Sequence, residues 1–491
     1  MAGVEWQERT QFTSSNNVGN FPTNAFSFYN LGAGSEQNSQ GSSYDRWAMN
    51  SYMGRAAYTF NDKYSATLTA RIDGSSKFGA NHKYSGLFPS LGLAWIVSNE
   101  DFMKNITWLD MLKLHTSYGT TGNSESPTYR SLSVFSTGTV LIDGVRASSA
   151  NTSRLANPDL KWEKTSMFDV GFELNTFGNR LNFDISYYYK YTSDLLLDAP
   201  IPNTSGFGSI FKNVGALSNR GLDAMVTGVI VKSKDFDWST TLNANYNANR
   251  IEKLNEGGAD MFVGDNWVGA QIIMRVGQPL AQFWGYERVG IKDAAYVAAN
   301  GGRIGTAIRN PDKTVIGKGM PDWTGSFINR VNYKNFDLMV DLQFSIGGNI
   351  RQDFSHSTED RFGLTSGLRT ILTEAWTEGK PANVPNQVQA IRIGSFDGQD
   401  SNCDTRWVTS ATFLRGNLFQ LGYTFSPQQA RSIGVNAIRA YVSAQNLFVL
   451  TSKDFRGFDP EGSTRGRFEQ GCFFFNYPKP RVLSLGLNVT F

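Results

Sequence analysis

Cysteine is nearly missing from this sequence: Cys403 and Cys472 are the two in 491 residues. Two are too few for a disulfide framework, and they lack the paired spacing of a metal site. A single Cys403–Cys472 bridge between surface loops and two unrelated thiols both stay open, because sequence separation does not decide geometry. Histidine is equally scarce: His82, His115 and His356 lie far apart and form no ligand motif. They read as surface or lumen residues. No stretch approaches the roughly 20 apolar residues of a membrane-crossing helix. The best is the run LGLAWIV from Leu91 to Val97, which excludes a helical membrane protein. Neither a GxSxG elbow, a P-loop, an HExxH helix nor a CxxC pair occurs. The chain therefore reads as no enzyme, with no cofactor. Neither charge dominates, at 46 Lys+Arg against 43 Asp+Glu, and no basic tract with interleaved aromatics offers a footprint for nucleic acid. The opening residues MAGVEWQERT carry no basic n-region and no apolar h-region. Either the chain is not exported, or its true N-terminus is missing.

What the sequence does have is 13% aromatic residues and 49 glycines, with abundant Asn and Ser, at a mean hydropathy of −0.33. Strand formers and turn formers are enriched together. Period-two alternation is cleanest at the end, where Leu483, Leu485, Leu487, Val489 and Phe491 alternate with Ser484, Gly486, Asn488 and Thr490. From Trp238 to Ala248 an apolar face opposes Asn243, Asn245 and Asn247, an amide-rich face unlike a dry core. The same period predicts fourteen strands, near residues 2–13, 48–59, 62–72, 87–97, 110–119, 164–175, 180–191, 219–231, 237–250, 322–332, 335–347, 410–425, 437–448 and 482–491.

The connections are sorted by parity. Tight links at Asn61-Asp62, Thr176 to Asn179, Lys232 to Phe236 and Tyr333-Lys334 alternate with long ones at 120–163, 251–321, 348–409 and 449–481. A compact soluble domain seldom carries structureless loops of such length. A bacterial outer-membrane barrel does, with short periplasmic turns and longer extracellular loops, and its strands need only about 10 residues with one apolar face. Length alone would suggest about three ordinary domains; one large barrel replaces them.

Several segments resemble the SusC/RagA family of TonB-linked outer-membrane proteins from Bacteroidetes. They include RIDGSSKFGANHKYSGLFPSLGLAW at 71–95, LKLHTSYGTTGN at 112–123, NPDLKWEKTSMFDVGFE at 157–173, IFKNVGALSNRGLDA at 210–224, VGQPLAQFWGYERVGI at 276–291, YVSAQNLFVLTSKDFRGFDPEG at 441–462 and YPKPRVLSLGLNVTF at 477–491. Their order and spacing run nearly end to end. The resemblance implies an all-β, antiparallel transmembrane barrel of 22 strands with a plugged lumen. Residues 1–491 are then its C-terminal part of about 14 strands, with the plug domain and about eight N-terminal strands absent. The expected wall is open or completed by a partner. The implied function is outer-membrane, TonB-dependent nutrient import of oligosaccharide or peptide. The implied partners are a SusD-like lipoprotein, the TonB complex through the missing N-terminal region, outer-membrane lipids and the barrel assembly machinery. The alternatives are a non-transporting surface or adhesion barrel, a truncated remnant, and a secreted glycan-binding module.

Particular residues carry narrower expectations. Trp267, Phe283, Trp284 and Tyr286 lie in the largest loop, where flat faces suit stacking on sugar rings; packing of the loop itself is the competing reading. Terminal Phe491 resembles the C-terminal signal that barrel assembly recognises. Tyr187, Tyr189 and Tyr191 suit an interfacial girdle, which turns Tyr188 to the lumen. Asp459 and Glu461 of FDPEG read as loop structure, since catalysis needs a water-excluded pocket.

Overall fold

The computed structural model describes the chain apart from residues 26, 85, 256, 265–268, 360–366, 392–401, 463–465 and 467. Fourteen strands follow one another in chain order across one antiparallel sheet. They are β1 (Ala2–Gly19), β2 (Glu36–Phe60), β3 (Tyr64–Ser75), β4 (Gly86–Ile96), β5 (Leu109–Asn123), β6 (Glu163–Thr176) and β7 (Leu181–Ser193), followed by β8 (Ala216–Lys232), β9 (Phe236–Lys253), β10 (Trp323–Tyr333), β11 (Phe336–Ile346), β12 (Phe413–Thr424), β13 (Ala437–Gln445) and β14 (Val482–Thr490). All fourteen predicted strands are present. The main difference is β2, which starts at Glu36 rather than near residue 48. Residues 36–43 have no apolar alternation to betray them, and their order comes from backbone pairing with β1, as in Thr13 with Ser43 and Asn17 with Ser39.

The wall turns its large apolar side chains outward. Tyr64, Leu68 and Ile72 of β3, Leu91 and Leu93 of β4, and Leu483, Leu485 and Leu487 of β14 are all exposed, Leu485 at 89%. In water such a stripe would drive aggregation; against hydrocarbon it is the stable face. Buried apolar residues gather instead among the long connections. One cluster joins Leu195, Leu197, Leu217, Ile251, Leu254, Met261 and Met274, and another joins Phe78, Phe88, Leu160, Trp162 and Leu196.

Tight turns close one end of the wall. Asn61 and Asp62 both have positive φ, 51° and 54°, the mirror-image turn whose twist suits antiparallel strands and which Asn and Asp tolerate. Phe177, Gly178 and Asn179 take the same region between β6 and β7. The longer connection 425–436 is held by a helix, Pro427–Ser432, with a capping box between Ser426 and Gln429. At the other end lie 20–35, 76–85, 124–162, 194–215, 254–322, 347–412 and 446–481. Every connection longer than about 12 residues is therefore on one side.

Among the described residues β1 is laddered to β2 alone and β14 to β13 alone, so no ladder joins β1 to β14. The ladder therefore runs from β1 at one edge to β14 at the other. One further short strand, Val449–Thr451, takes over pairing with the far end of β12. The changeover occurs at Gly416, where a Cβ would meet the Phe448 ring at 2.8 Å.

Candidate transport wall and outer cap

The polar face of the wall is a set of cross-strand side-chain bonds. On β7 to β10, Tyr188 Oη donates to Asn247 Oδ1 at 3.1 Å, Asn249 Nδ2 to Asn219 Oδ1 at 2.8 Å, and Asn243 Nδ2 to Ser326 Oγ at 3.0 Å. Asn245 Nδ2 donates to Asp223. Tyr188 is buried while Tyr187, Tyr189 and Tyr191 are exposed, the division that period two predicts. Tyr188 lies over Gly221, which faces it directly across the ladder. A Cβ there would meet the Tyr188 hydroxyl at 2.4 Å and the Tyr246 carbonyl oxygen at 2.1 Å. Ion pairs continue the face, with Lys113 on Glu173 at 2.6 Å and Arg71 on Glu5 at 2.9 Å and on Asp73 at 2.6 Å.

At the tight-turn end Glu100 accepts from Lys63 Nζ at 2.9 Å, from Trp95 Nε1 at 3.1 Å and from the Tyr64 hydroxyl. The Tyr64 and Lys63 hydrogen bonds hold its carboxyl down at about 2. The aromatics here are amphipathic, ring in the apolar layer and polar atom on the rim.

The long connections form a cap tied by buried charge. Asp404 accepts from Arg288 Nε at 2.8 Å and Arg309 Nε at 2.6 Å, and the first pair is wholly enclosed. Arg351 grips Asp353 with two nitrogens, at 2.6 and 3.1 Å. Arg406 and Arg456 each bridge Glu359 and Glu374. Arg415, near the far end of β12, binds Asp459 at 2.6 Å and Glu461 at 2.9 Å. The two acids of FDPEG are thus the counter-charges of a buried arginine. The Arg288 and Arg309 pairs join 254–322 to 347–412, the Arg456 pairs join 446–481 to 347–412, and Arg415 ties 446–481 to β12. They were not predicted, because their partners lie up to 116 residues apart, as for Arg288 and Asp404. The single hint was an acidic loop without an obvious mate.

The loop aromatics separate. Phe283 is fully buried against Ile272 and Cys472, so its ring has no face open for stacking on a sugar. Trp284 and Tyr286 are half-buried. Arg275 sits 5.6 Å from the Trp284 ring centre and Lys313 sits 5.6 Å from that of Tyr286. Burial lowers the affinity of Lys313 for its proton. Trp267 lies outside the described residues.

The Cys403–Cys472 bridge is not formed: neither cysteine is in a disulfide and both are buried, in neighbouring clusters that share Ile316. Burial pushes the Cys403 thiol up, which disfavours its thiolate. His356 is a second correction, being neither on the surface nor on the polar face. It is buried beside Trp407, with Ser357 Oγ 2.8 Å from its Nδ1. His115 does lie on the polar face, 3.1 Å from Ser186 Oγ, and His82 stays partly exposed near Asp159.

The profile of the family described as TonB dependent receptor-like, beta-barrel matches residues 1–447. The chain belongs to this family. TonB-dependent receptor barrels are outer-membrane transport proteins, so the outward apolar face lies against lipid. The tight turns then fall on the periplasmic side and the cap outside. Among curated relatives, TonB-dependent receptor P3 of Formosa agariphila is 31% identical across 96% of this chain and 48% of its own length. The TonB-dependent receptor SusC of Bacteroides thetaiotaomicron is 29% identical across 90% of this chain and 43% of its own. The structure of the RagAB peptide transporter superposes with a TM-score of 0.80 at 27% identity, covering all of this chain and 53% of that one. The chain spans about half the length of the curated relatives it matches.

Proposed function

We propose that this TonB-dependent receptor chain is the C-terminal barrel portion of an outer-membrane nutrient importer of the SusC type. In this reading a plug and the remaining strands complete the pore, the TonB complex supplies energy, and a SusD-like lipoprotein captures an oligosaccharide or peptide over the cap. The observation that carries it is the two-faced wall. A lipid-facing apolar stripe backs a polar face that is hydrogen-bonded across strands on β7 to β10, which is the surface a pore needs and an adhesive scaffold does not. The chain's role is passage rather than catalysis. Phe491, exposed beyond the last strand, serves as the mark read by the barrel assembly machinery. Of the described candidates, Trp284 and Tyr286 are the loop aromatics that meet a ligand, each with one face already under a cation.

The test is growth of the source bacterium on oligosaccharides or on peptides as sole nutrient, after deletion of this gene and, separately, of tonB. Loss of growth on the same nutrient in both strains is expected. Growth that survives both deletions, with host or phage adhesion lost instead, would replace import by the adhesive reading.

A further inference from the structure

The lipid face of the wall is not evenly filled. On β10 and β11 a small residue is covered from within the sheet, since a Cβ at Gly325 would meet the ring of Phe344, its partner across the ladder, at 2.5 Å. On β2 to β5 one cross-strand row of the same face runs Tyr58, Ala66, Leu93 and Thr116. The row beside it, nearer the tight turns, pairs Tyr64 with Trp95. Between the two rows lies a hollow of about 560 Å³, within the roughly 300–1,000 Å³ of sites that seat small ligands. Ala66 and Thr116 are the small positions of its floor, and the two aromatic rings form one wall.

The polar atoms of these side chains are spent inside the wall. Thr116 Oγ1 donates to the Asp169 carbonyl oxygen at 2.8 Å. Trp95 Nε1 donates to Glu100 at 3.1 Å, as does the Tyr64 hydroxyl. What the floor and the ring wall leave to a ligand is therefore hydrocarbon. The same bonds fix the rings, which lie 15° from parallel with centres 6.3 Å apart. A wall held in place beforehand lowers the cost of binding.

We propose that this hollow seats one acyl chain of a periplasmic-leaflet phospholipid whose zwitterionic head group rests on the adjoining rim. The hollow is on the outward face, whereas a plug would lie against the opposite face of the same strands. Its neighbours in the membrane are lipids, and its ring wall stands at the tight-turn end. The rim there carries both signs in pairs, Lys63 with Glu100 at 2.9 Å and Lys104 with Asp101 at 2.6 Å. That balance matches an ammonium and a phosphate together, and it lacks the cluster of cations that selects an anionic head. Over an evenly filled row a chain touches only side-chain tips; over Ala66 and Thr116 it sinks further. Burying about two more CH₂ groups corresponds to roughly tenfold in affinity. The seat depends on outer-membrane placement and not on what the pore carries.

The test uses the full-length protein, made from its own gene in source cells and purified in detergent. The probes are palmitoyl-oleoyl phosphatidylethanolamine and the matching phosphatidylglycerol, and native mass spectrometry reads what is retained. The wild type should keep one phosphatidylethanolamine per chain through washing that strips the remaining lipid. Ala66→Phe and Thr116→Leu fill the hollow from two different strands, and each should lower that retention by about tenfold. Val442→Phe, at an exposed position of the same face on β13, should leave it unchanged. Heat-modifiable mobility equal to wild type shows that each variant has folded. No retained lipid in the wild type, undiminished retention in the filled variants, or equal retention of phosphatidylglycerol would overturn the assignment. So would a mass of two protomers that falls to one in the filled variants, which would give the hollow to a second copy of this chain.

Discussion

Replacing Arg415 by methionine distinguishes a cap anchored by charge from one held by packing alone. Methionine keeps most of the apolar stem but removes the cation, leaving Asp459, at 4% exposure, without its 2.6 Å partner. Breaking a buried pair by removing one member costs roughly 3–5 kcal/mol. Asp459 keeps the backbone N–H of Glu461 at 3.0 Å, and Glu461 keeps Lys479 at 2.7 Å. Glu461 is also partly in water, which screens its share, so the low end of about 3 kcal/mol applies. At 1.4 kcal/mol per factor of ten, the population in which segment 446–481 opens rises by about a hundredfold. Protease added to intact cells reads this directly, because cleavage tracks the open population when opening and closing outpace cutting. Cutting within 446–481 should accelerate accordingly, while the heat-modifiable electrophoretic mobility of the wall stays unchanged. Adding Asp459→Asn should recover most of the loss, since removing both partners is far cheaper than stranding one. An unchanged cutting rate would refute the anchoring role, as would a wall that fails along with the cap.

Three further outcomes check other parts of the reasoning. Leu93→Arg, on the lipid face, should cost roughly 2–4 kcal/mol in a urea titration in vesicles if it lies near mid-bilayer, whereas Ser117→Arg on the opposite face should cost little; equal costs would reverse the faces. Gly221→Ala should destabilise by roughly 1–3 kcal/mol through overpacking against Tyr188 and the Tyr246 carbonyl, while Gly92→Ala should stabilise by about 0.5–1 kcal/mol; the two are compared by unfolding midpoint. Glu100→Gln tests the periplasmic rim. The folded carboxyl is held at about 2, below its unfolded value near 4.3, so its contribution is complete above that unfolded value and fades as pH falls toward 2. The gap in unfolding midpoint between wild type and variant should hold from about pH 7 to 5 and close between about pH 4 and 2; a gap that persists at the acid end would show that Glu100 acts through shape rather than charge.

The wall was legible because its physics is local. A side chain at Leu485 or Ser484 meets lipid or polar surroundings according to parity alone, so period two in the sequence is period two in space. The same rule placed Tyr188 apart from Tyr187 and Tyr189. It was blind where both faces of a strand are polar, as in the first turns of β2, and there the partner strand supplies the order.

The cap was illegible for the opposite reason. Phe283 and Trp284 are consecutive in one short strand, Gln282–Gly285, yet one is sealed inside the cap and the other is half-open, a division decided by Ile272, Cys472 and the cation above each ring. Composition could name aromatic loop residues as ligand contacts, but exposure depends on neighbours over a hundred positions away. Arg288 with Asp404 and Arg415 with Asp459 show the same dependence. A charge read as a solvated loop residue becomes a buried tie only once its partner arrives from another connection. The cap's ion pairs therefore carry structural information that the alternation pattern does not contain, and Arg415→Met tests it at the point where the cap is tied to the wall.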